Sequence, residues 1–435
     1  MNDSSAPSLQ RTLGFWSLLA YGVGDMLGAG IYALVGKVAG VSGTLAWVSF
    51  GIAMVAATLT AAVYGELATR YPKSGGAAYY CDIAFRKPAL SIVVGWLVFC
   101  SGLVSLATSS RAFSGYLIEL APWAPQPLII FAFLCAVGIV NVRGIRESST
   151  TNIICTSVEL TGLLLVIVTG AVFVFGSSSA TTVPVAAAQP IGLAPLLLLQ
   201  GAGLAFFAFV GFEDMANVAE EVNSPERTFP RALLAAMGIV GLCYMSIVYL
   251  ATSVIPPETL AASNAPLLTV FQTTAPWAPS RLFTGIALFA VANTGLLNCI
   301  MASRLIYGMS REGLLPAWFK EIHPTRHTPH RAGAVVVGIA LILALTGTVT
   351  HLASTTSMLL LIVFTVVSIA LIVIKRREGS ASHGFRVPIA VPVAAIAICV
   401  TLAAFTQRSS LAAAGVLALV GVVIATQHRR LSGTK

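Results

Sequence analysis

The stretch GVGDMLGAGIY, from Gly22 to Tyr32, interrupts a membrane-length apolar segment at its midpoint. Five apolar segments later, the stretch FFAFVGFED, from Phe206 to Asp214, interrupts a second one in the same way. In lipid, backbone that leaves a helix survives only where it is buried in protein or lines a water-filled cavity. Paired broken helices at matching places in two halves of a chain point to the binding site of a transporter. The two stretches therefore predict a small-molecule transporter whose spans 1 and 6 are broken helices.

The composition is that of a membrane protein. Of the 435 residues, 57% are hydrophobic and only 9% are charged, whereas an ordinary soluble domain is about a quarter charged. A helix needs about 20 predominantly apolar residues to cross the bilayer. Twelve such runs can be counted, at residues 14–36, 43–68, 89–118, 127–142, 152–176, 196–219, 231–254, 281–309, 332–350, 354–374, 388–406 and 410–427. We predict an all-α membrane protein with twelve transmembrane helices.

The net charge of +9 indicates membrane topology rather than a polyanionic partner. Lysine and arginine concentrate in alternate loops, and the opposite set of loops holds only Lys37, Arg281 and Arg408. The positive-inside rule then places both termini in the cytoplasm. We therefore expect a multi-pass protein of the plasma (inner) membrane, in contact with membrane lipid and without a nucleic-acid partner. The sequence is silent on protein partners.

The positions of the two breaks also predict the organisation of the chain. Because five is an odd number, spans 6–10 lie upside down relative to spans 1–5, which predicts an inverted repeat. The predicted parts are a cytoplasmic tail (1–13), a transporter domain (14–430) with a first repeat (14–176), an inverted second repeat (196–374) and two appended helices (388–427), and a second tail (428–435).

The segments between the spans are predicted to be short and polar. The longest are residues 69–88, 177–195, 255–280 and 310–331, and residues 256–267 could form one short lid helix over an outer vestibule. The first span has neither the basic region nor the cleavage site of a signal peptide, so we expect it to be retained.

Neither the cysteines nor the histidines predict a cofactor or a metal site. The seven cysteines are scattered without a CxxC pair, which is typical of small core residues. His323, His327 and His330 have a spacing that could bind zinc, but their stretch is proline-broken and basic, which favours a solvated cytoplasmic loop. No GxxxxGK[ST] motif occurs. The predicted energy source is therefore a proton gradient, or a sodium gradient.

The glycines and the carboxylate at the centre of span 1 predict a binding site. Gly24 and Gly28 could be a GxxxG packing face, but packing explains neither four glycines in nine residues nor Asp25 among them. If the helix unwinds near Gly28, Ala29 and Gly30, the following half-helix presents N–H groups and the positive end of its dipole. Such an end is suited to a carboxylate.

Unwinding of span 6 just before Gly211 would have the complementary effect. It would expose carbonyl oxygens, which suit an ammonium group. A site with N–H donors on one side and carbonyls on the other fits an α-amino acid. Phe207 or Phe209 could cover the substrate as an aromatic lid, and both could equally be core residues.

Two carboxylates lie deep within the predicted spans. Asp25 is about 17 Å along span 1 at 1.5 Å per residue, and a carboxylate inside the membrane is by default a functional-site hypothesis. It could bind a substrate amine, bind a proton or cation, or pair with Arg111. Glu159 is about 12 Å into span 5, where burial disfavours the charged form. Glu159 could carry the coupling proton or be a permanently neutral structural acid.

Other polar residues are weaker candidates. Glu213 and Asp214 could line the inner pathway, and Glu66 could belong to an inner gate or a static ion pair. Asn293 and Asn298 could supply polar lining to the pocket.

Taken together, the interrupted stretches resemble the amino acid–polyamine–organocation permeases. YGELATRYPKSGGAAYY (Tyr64 to Tyr80) and MASRLIYGMSREGLLP (Met301 to Pro316) are similar to the same superfamily. ATSSRAFSG (Ala107 to Gly115) further resembles the cationic amino acid transporter branch. The resemblance implies a LeuT-type fold of five-plus-five inverted repeats.

The resemblance also implies roles for individual residues. The substrate α-carboxylate would meet the backbone amides of Gly28, Ala29 and Gly30. The α-amine would meet the backbone carbonyls of Phe207, Ala208 and Val210. Ala29 stands where many members have serine or threonine, and Asp25 where many have a neutral residue. In some proton-coupled members a lysine occupies the place of Glu159.

The sequence thus predicts a permease that moves an amino acid, including a cationic one, or an organic amine by alternating access. Proton symport is the favoured mechanism, and exchange of one amino acid or polyamine for another is the alternative. A membrane sensor that binds amino acids without transport is a remote alternative. An enzyme is not expected, because HExxH and serine-nucleophile motifs are absent.

Overall fold

The structure is a computed structural model that describes residues 11–73, 75–144, 149–176, 194–326, 328–378 and 384–432. Among these residues the secondary structure is helical, apart from an isolated bridge between Leu13 and Val222. The first eight α-helices are α1 (Phe15–Met26), α2 (Ala29–Ser42), α3 (Ala46–Arg70), α4 (Gly76–Phe85), α5 (Pro88–Ile118), α6 (Gln126–Arg143), α7 (Ser149–Gly176) and α8 (Ala194–Ala205). The next eight are α9 (Pro225–Val254), α10 (Pro257–Ala262), α11 (Pro266–Thr274), α12 (Ser280–Arg311), α13 (His330–Thr346), α14 (Val349–Glu378), α15 (Ala390–Phe405) and α16 (Arg408–Ser432).

The helices have the length and the surface of a multi-pass membrane protein. Within the described residues, nine helical stretches are long and apolar enough to cross a membrane, and α13 and α15 are shorter apolar helices. Large apolar side chains face outward, such as Phe175 at 72% exposure and Leu419 at 66%, as expected where lipid is the solvent. The twelve crossings and the inverted repeat stay predictions.

Both expected interruptions are present. Helix α1 ends at Met26 and α2 begins at Ala29, with Leu27 in an extended conformation between them. Helix α8 ends at Ala205, and the chain continues as two 3-10 turns, Phe206–Phe209 and Phe212–Glu221.

Three connections differ from the sequence prediction. Residues 69–88 were expected to be a polar loop, but they contain α4. Residues 256–267 contain the one short helix considered there, α10, but also the start of a second helix, α11, which continues to Thr274. The predicted span 332–350 is too long, because α13 ends at Thr346. Gly347 caps α13, and the Thr348 hydroxyl accepts the His351 N–H at 3.2 Å as α14 begins. The predicted loop 177–195 lies mostly outside the described residues.

Side-chain hydroxyls hold α1 in place between α7 and α9. Tyr244 on α9 is buried and donates to the carbonyl oxygen of Met26 at 2.6 Å. Thr156 on α7 donates to the carbonyl oxygen of Ala20 at 3.1 Å. The last carbonyls of a helix have no partner within it, so the tyrosine hydroxyl satisfies backbone that the break exposes.

Helix α10 packs tightly on α2, and a lysine caps its C-terminal end. The Lys37 ammonium on α2 donates to the carbonyl oxygens of Ala261 and Ser263, at 2.5 and 3.2 Å. A Cβ on Gly36 would lie 2.1 Å from the Leu260 carbonyl oxygen. A cation at the C-terminal end of a helix is favourable for its carbonyls and its dipole.

Candidate functional site

The two breaks cross in direct contact. A Cβ on Gly30 would lie 2.5 Å from the Ala208 Cα, and a Cβ on Gly211 would lie 2.8 Å from the Asp25 carbonyl oxygen. Real Cβ atoms essentially never come so close to other heavy atoms. Gly211 also has a φ of +125°, which L-residues with a side chain rarely adopt. The absence of a side chain at both positions is therefore what allows the breaks to touch.

A cavity of about 510 Å³, here called the central cavity, lies at this crossing. Six of the eight residues predicted for the substrate site line it, namely Asp25, Ala29, Gly30, Phe207, Ala208 and Val210. Helices α5 and α12 complete the wall. The structure thus brings together most of the residues that the sequence singled out, and their roles in binding stay predictions.

Gly28 and Phe209 do not line the central cavity. A Cβ on Gly28 would lie 1.8 Å from the Thr294 Oγ1 of α12, so this glycine allows α12 to approach the break. The Phe209 ring is fully buried, with its centroid 5.4 Å from that of Tyr244 and 6.4 Å from that of Phe50. Of the two phenylalanines considered as a lid, Phe207 is the one beside the cavity.

The start of α2 already has a hydrogen-bond partner from another helix. The Ala29 N–H donates to the Thr294 Oγ1 at 3.1 Å, and that hydroxyl donates in turn to the Ala290 carbonyl at 3.2 Å. Thr294 therefore acts on α2 as a capping oxygen does at a helix N-terminus. A carboxylate that binds the Ala29 N–H would have to replace this bond.

Several lining residues escaped the sequence analysis. Ser101 and Ser105 of α5 and Thr294 and Met301 of α12 line the central cavity, together with the anticipated Asn298. The two serines are four residues apart, which places them on one face of a helix. A polar pair at this spacing within an apolar span was the available signal.

Two adjacent acids follow the second break at the crossing. Glu213 and Asp214 both line the central cavity, as Asp25 does. The Glu213 Oε2 accepts the Gly211 N–H at 2.9 Å, and the Asp214 Oδ1 accepts the Asn217 side-chain amide at 3.1 Å. Among the described residues, no lysine, arginine or histidine lines this cavity.

A second and larger cavity of about 1990 Å³, here called the vestibule, lies along α1. It extends from Asp25 to Glu221 and Arg304, and most of its lining is apolar. Asp25 lines both the vestibule and the central cavity. This carboxylate therefore stands at the boundary between the two spaces.

Glu159 is fully buried on α7, in contact with α12. Its Oε1 accepts the Asn293 side-chain amide at 2.9 Å, whereas its buried Oε2 has no hydrogen-bond partner among the described residues. Asn293 lines the vestibule and not the central cavity. Within the part of the chain that the structure describes, Glu159 thus has a single side-chain hydrogen bond. Asn293, which was considered as lining for the substrate pocket, lines the vestibule instead.

Glu66 belongs to a buried ionic cluster. It is fully buried, and its carboxylate lies 2.5 Å from the Arg70 guanidinium and 2.7 Å from the Lys375 ammonium. Its Oε2 also accepts the Val387 N–H at 2.8 Å. The cluster ties α3 to α14 and to the segment before α15, and Glu66 does not line the central cavity.

The remaining candidates lie away from the crossing. The Arg111 guanidinium donates to the carbonyl oxygen of Ala344 at 2.7 Å. The rings of His323 and His330 contact each other, and His327 lies outside the described residues. In the part of the chain that the structure describes, no group of three histidine, cysteine or acidic side chains could hold a metal ion, and all seven cysteines are free.

The fold defines a multi-pass helical membrane protein in which two broken helices meet at a cavity. The family model for amino acid permeases matches residues 13–428. The chain therefore belongs to the amino acid permease family, within the amino acid–polyamine–organocation superfamily.

Several characterised or named transporters are similar to this chain. The methylthioribose transporter of Bacillus subtilis is 28% identical over 422 residues, which cover 91% of this chain and 88% of that protein. The vacuolar cationic amino acid transporter 4 of Arabidopsis thaliana is 32% identical over 84% of this chain and 64% of its own length. The branched-chain amino acid permease BcaP of Bacillus subtilis is 26% identical over 92% of this chain and 89% of that protein. Their names cover different substrates, so the likeness supports transport more strongly than any one cargo.

Proposed function

We propose that this protein is a secondary transporter that moves an amino acid across the plasma membrane by alternating access. The observation that carries the proposal is the contact between the two breaks, with a cavity of about 510 Å³ at their crossing. The proposal includes twelve spans, a LeuT-type pair of inverted repeats and both termini in the cytoplasm. The permease family to which the chain belongs supports it.

The crossing offers opposite polarity on its two sides. The start of α2 carries the positive end of a helix dipole. The N–H groups of Gly30 and Ala29, which line the cavity, would hold the α-carboxylate there, with the bond from Ala29 to Thr294 replaced, whereas Gly28 lies outside the cavity lining. The carbonyls of Phe207, Ala208 and Val210 would hold the α-amine. The Phe207 ring, which lines the cavity, would cover the substrate.

The vestibule would be the route between this site and the cytoplasm. Asp25 lines the central cavity on one side and the vestibule on the other. Its carboxylate would therefore meet the substrate amine, or a proton or cation, as cargo passes from one space to the other.

Glu159 would carry the coupling proton. A carboxylate without a cationic partner is costly to bury in its charged form, and a single amide contact from Asn293 compensates little of that cost. Asn293 lies at the vestibule wall, so the acid is one side chain away from a path for protons. Binding and release of the proton would then accompany movement of α1 against α7.

Uptake into proteoliposomes tests the proposal. Radiolabelled amino acids and polyamines would be offered with and without an inward proton gradient. We expect accumulation that collapses when the gradient is dissipated. Uptake that occurs only into preloaded vesicles would replace symport by exchange. Absence of any amino acid uptake by folded protein would contradict the substrate assignment.

A further inference from the structure

A cavity of about 470 Å³, here called the side chamber, adjoins the central cavity. The two spaces share four lining residues, Val98, Glu213, Asp214 and Met301. Beyond these residues the side chamber extends to Tyr64 of α3 and to Gly76 at the start of α4. A ligand bound at the crossing could therefore extend past the two acids toward Tyr64.

The junction between the two spaces is acidic. Glu213 and Asp214 stand there side by side, and Asp214 uses its Oδ1 for Asn217. No lysine, arginine or histidine among the described residues lines either space. Two adjacent carboxyls without a cation repel each other when both are charged, so the junction favours a positively charged guest.

Tyr64 supplies an independent sign of a missing ligand atom. Its side chain lines the side chamber at 1% exposure, and its hydroxyl has no hydrogen-bond partner among the described residues. Edge-on contacts with the rings of Tyr80, Phe212 and Phe364 hold the phenol in place. A buried polar group normally has a partner, because leaving it unpaired is unfavourable. A ligand that fills the chamber could provide one.

We propose that the side chamber is a subsite for the cationic far end of an amino acid side chain. This inference rests on the proposed function, with the α-carboxylate and α-amine at the crossing. An aliphatic stem would pass Met301 and Val98, and an ammonium or guanidinium would donate to Asp214, Glu213 and the Tyr64 hydroxyl. Charge-assisted hydrogen bonds of this kind are the strong ones. The substrate class is therefore basic amino acids, such as lysine, ornithine and arginine.

The test compares L-lysine with L-norleucine, which has a neutral side chain of similar length. Uptake of each into proteoliposomes gives a ratio of kcat/KM, and thermal stabilisation of the purified protein gives a second, transport-independent measure of binding. For the unaltered protein we expect kcat/KM for lysine to exceed that for norleucine by about tenfold or more. Norleucine lacks the side-chain ammonium, so it would leave the buried acids without a charged partner. Asp214→Asn and Tyr64→Phe should each lower the ratio. Asp82→Asn, on the exposed surface of α4, is the matched control and should leave it unchanged.

The outcomes separate the subsite from the proposed function. Transport of norleucine with no preference for lysine would overturn the subsite and leave amino acid transport intact. If folded Asp214→Asn loses kcat/KM equally for lysine and norleucine, the subsite is also overturned. The acid would then be needed for transport of any substrate and not for recognition of the cationic side chain. If no amino acid is transported, stabilisation by lysine and not by norleucine would still support the subsite, and its absence would reject it.

Discussion

Gly30 in the first break and Ala208 in the second are in backbone contact, with room for no side-chain atom on Gly30. A Cβ there would meet the Ala208 Cα at 2.5 Å, and backbone atoms cannot rotate out of the way as a flexible side chain can. A side chain at position 30 would therefore separate the two breaks and change the size of the central cavity between them.

Gly30→Ala should disable transport. The added methyl would push the breaks apart, and a misplacement of about 1 Å at a binding site can cost on the order of a hundredfold in rate. We expect the initial rate of uptake to fall by about tenfold or more at equal amounts of folded protein. The matched control is Gly285→Ala on α12, where no atom lies within 4 Å of the added Cβ. Normal uptake by Gly30→Ala would show that the breaks can separate without consequence.

Glu159→Gln should abolish accumulation driven by a proton gradient. Glutamine keeps the shape of the protonated acid and can still accept the Asn293 amide, but it cannot release a proton. Exchange between preloaded and external substrate should survive, because that reaction needs no net proton movement. The measurement is uptake with and without the gradient, with Glu119→Gln on the exposed end of α5 as the control. Intact gradient-driven accumulation would remove Glu159 from the coupling mechanism.

Glu66→Ala should destabilise the protein strongly. The substitution leaves the Arg70 and Lys375 cations without their shared partner and leaves the Val387 N–H unpaired. Removing one member of a buried ionic cluster costs about 3–5 kcal/mol. The control is Glu321→Ala, which breaks an exposed pair with Arg331 and should cost less than about 1 kcal/mol. Thermal unfolding in detergent measures both, and equal melting temperatures would contradict the structural role.

Lys37→Met should loosen the lid. The variant keeps the aliphatic stem but loses the ammonium that joins α2 to the Ala261 and Ser263 carbonyls. Hydrogen bonds to charged groups contribute about 1.5–3 kcal/mol, so opening of α10 should become about tenfold more frequent. The rate at which an impermeant maleimide labels Ala265→Cys, a position with 1% exposure, reports that opening. Lys37→Arg retains a cation and should restore slow labelling, and equal rates in all three proteins would count against the lid contact.

The sequence predicted the places of the two breaks because their signal is local. The clustered glycines beside Asp25, and the single Gly211 followed by Glu213 and Asp214, conflict with an uninterrupted span, and the structure has a break at each place. Their mutual contact followed from the expectation of paired breaks. The choice between Phe207 and Phe209 did not follow, because adjacent turns of an irregular segment carry no fixed periodicity to show which ring faces the cavity.

Partners from distant helices could not be predicted. Thr294 caps α2 from 265 residues further along the chain, and within its own apolar span it is one polar residue among several. The Glu66 cluster likewise joins α3 to α14 through Lys375. Such contacts depend on how whole helices are rotated against each other, and a single sequence does not contain that rotation. The Gly347–Thr348 helix boundary, by contrast, was readable and was missed.

Asp25 lines both the central cavity and the vestibule from its place near the end of α1. Helix α1 has only twelve residues and ends just before the extended Leu27, so rotation about this residue would move it as a short lever. A tilt of this one segment would merge the central cavity with the vestibule while α2 stays seated beneath its lid. The free energy of opening toward the vestibule would then depend on a few contacts of α1, above all the hydrogen bonds from the Tyr244 and Thr156 hydroxyls. It would not require rearrangement of the whole helix bundle.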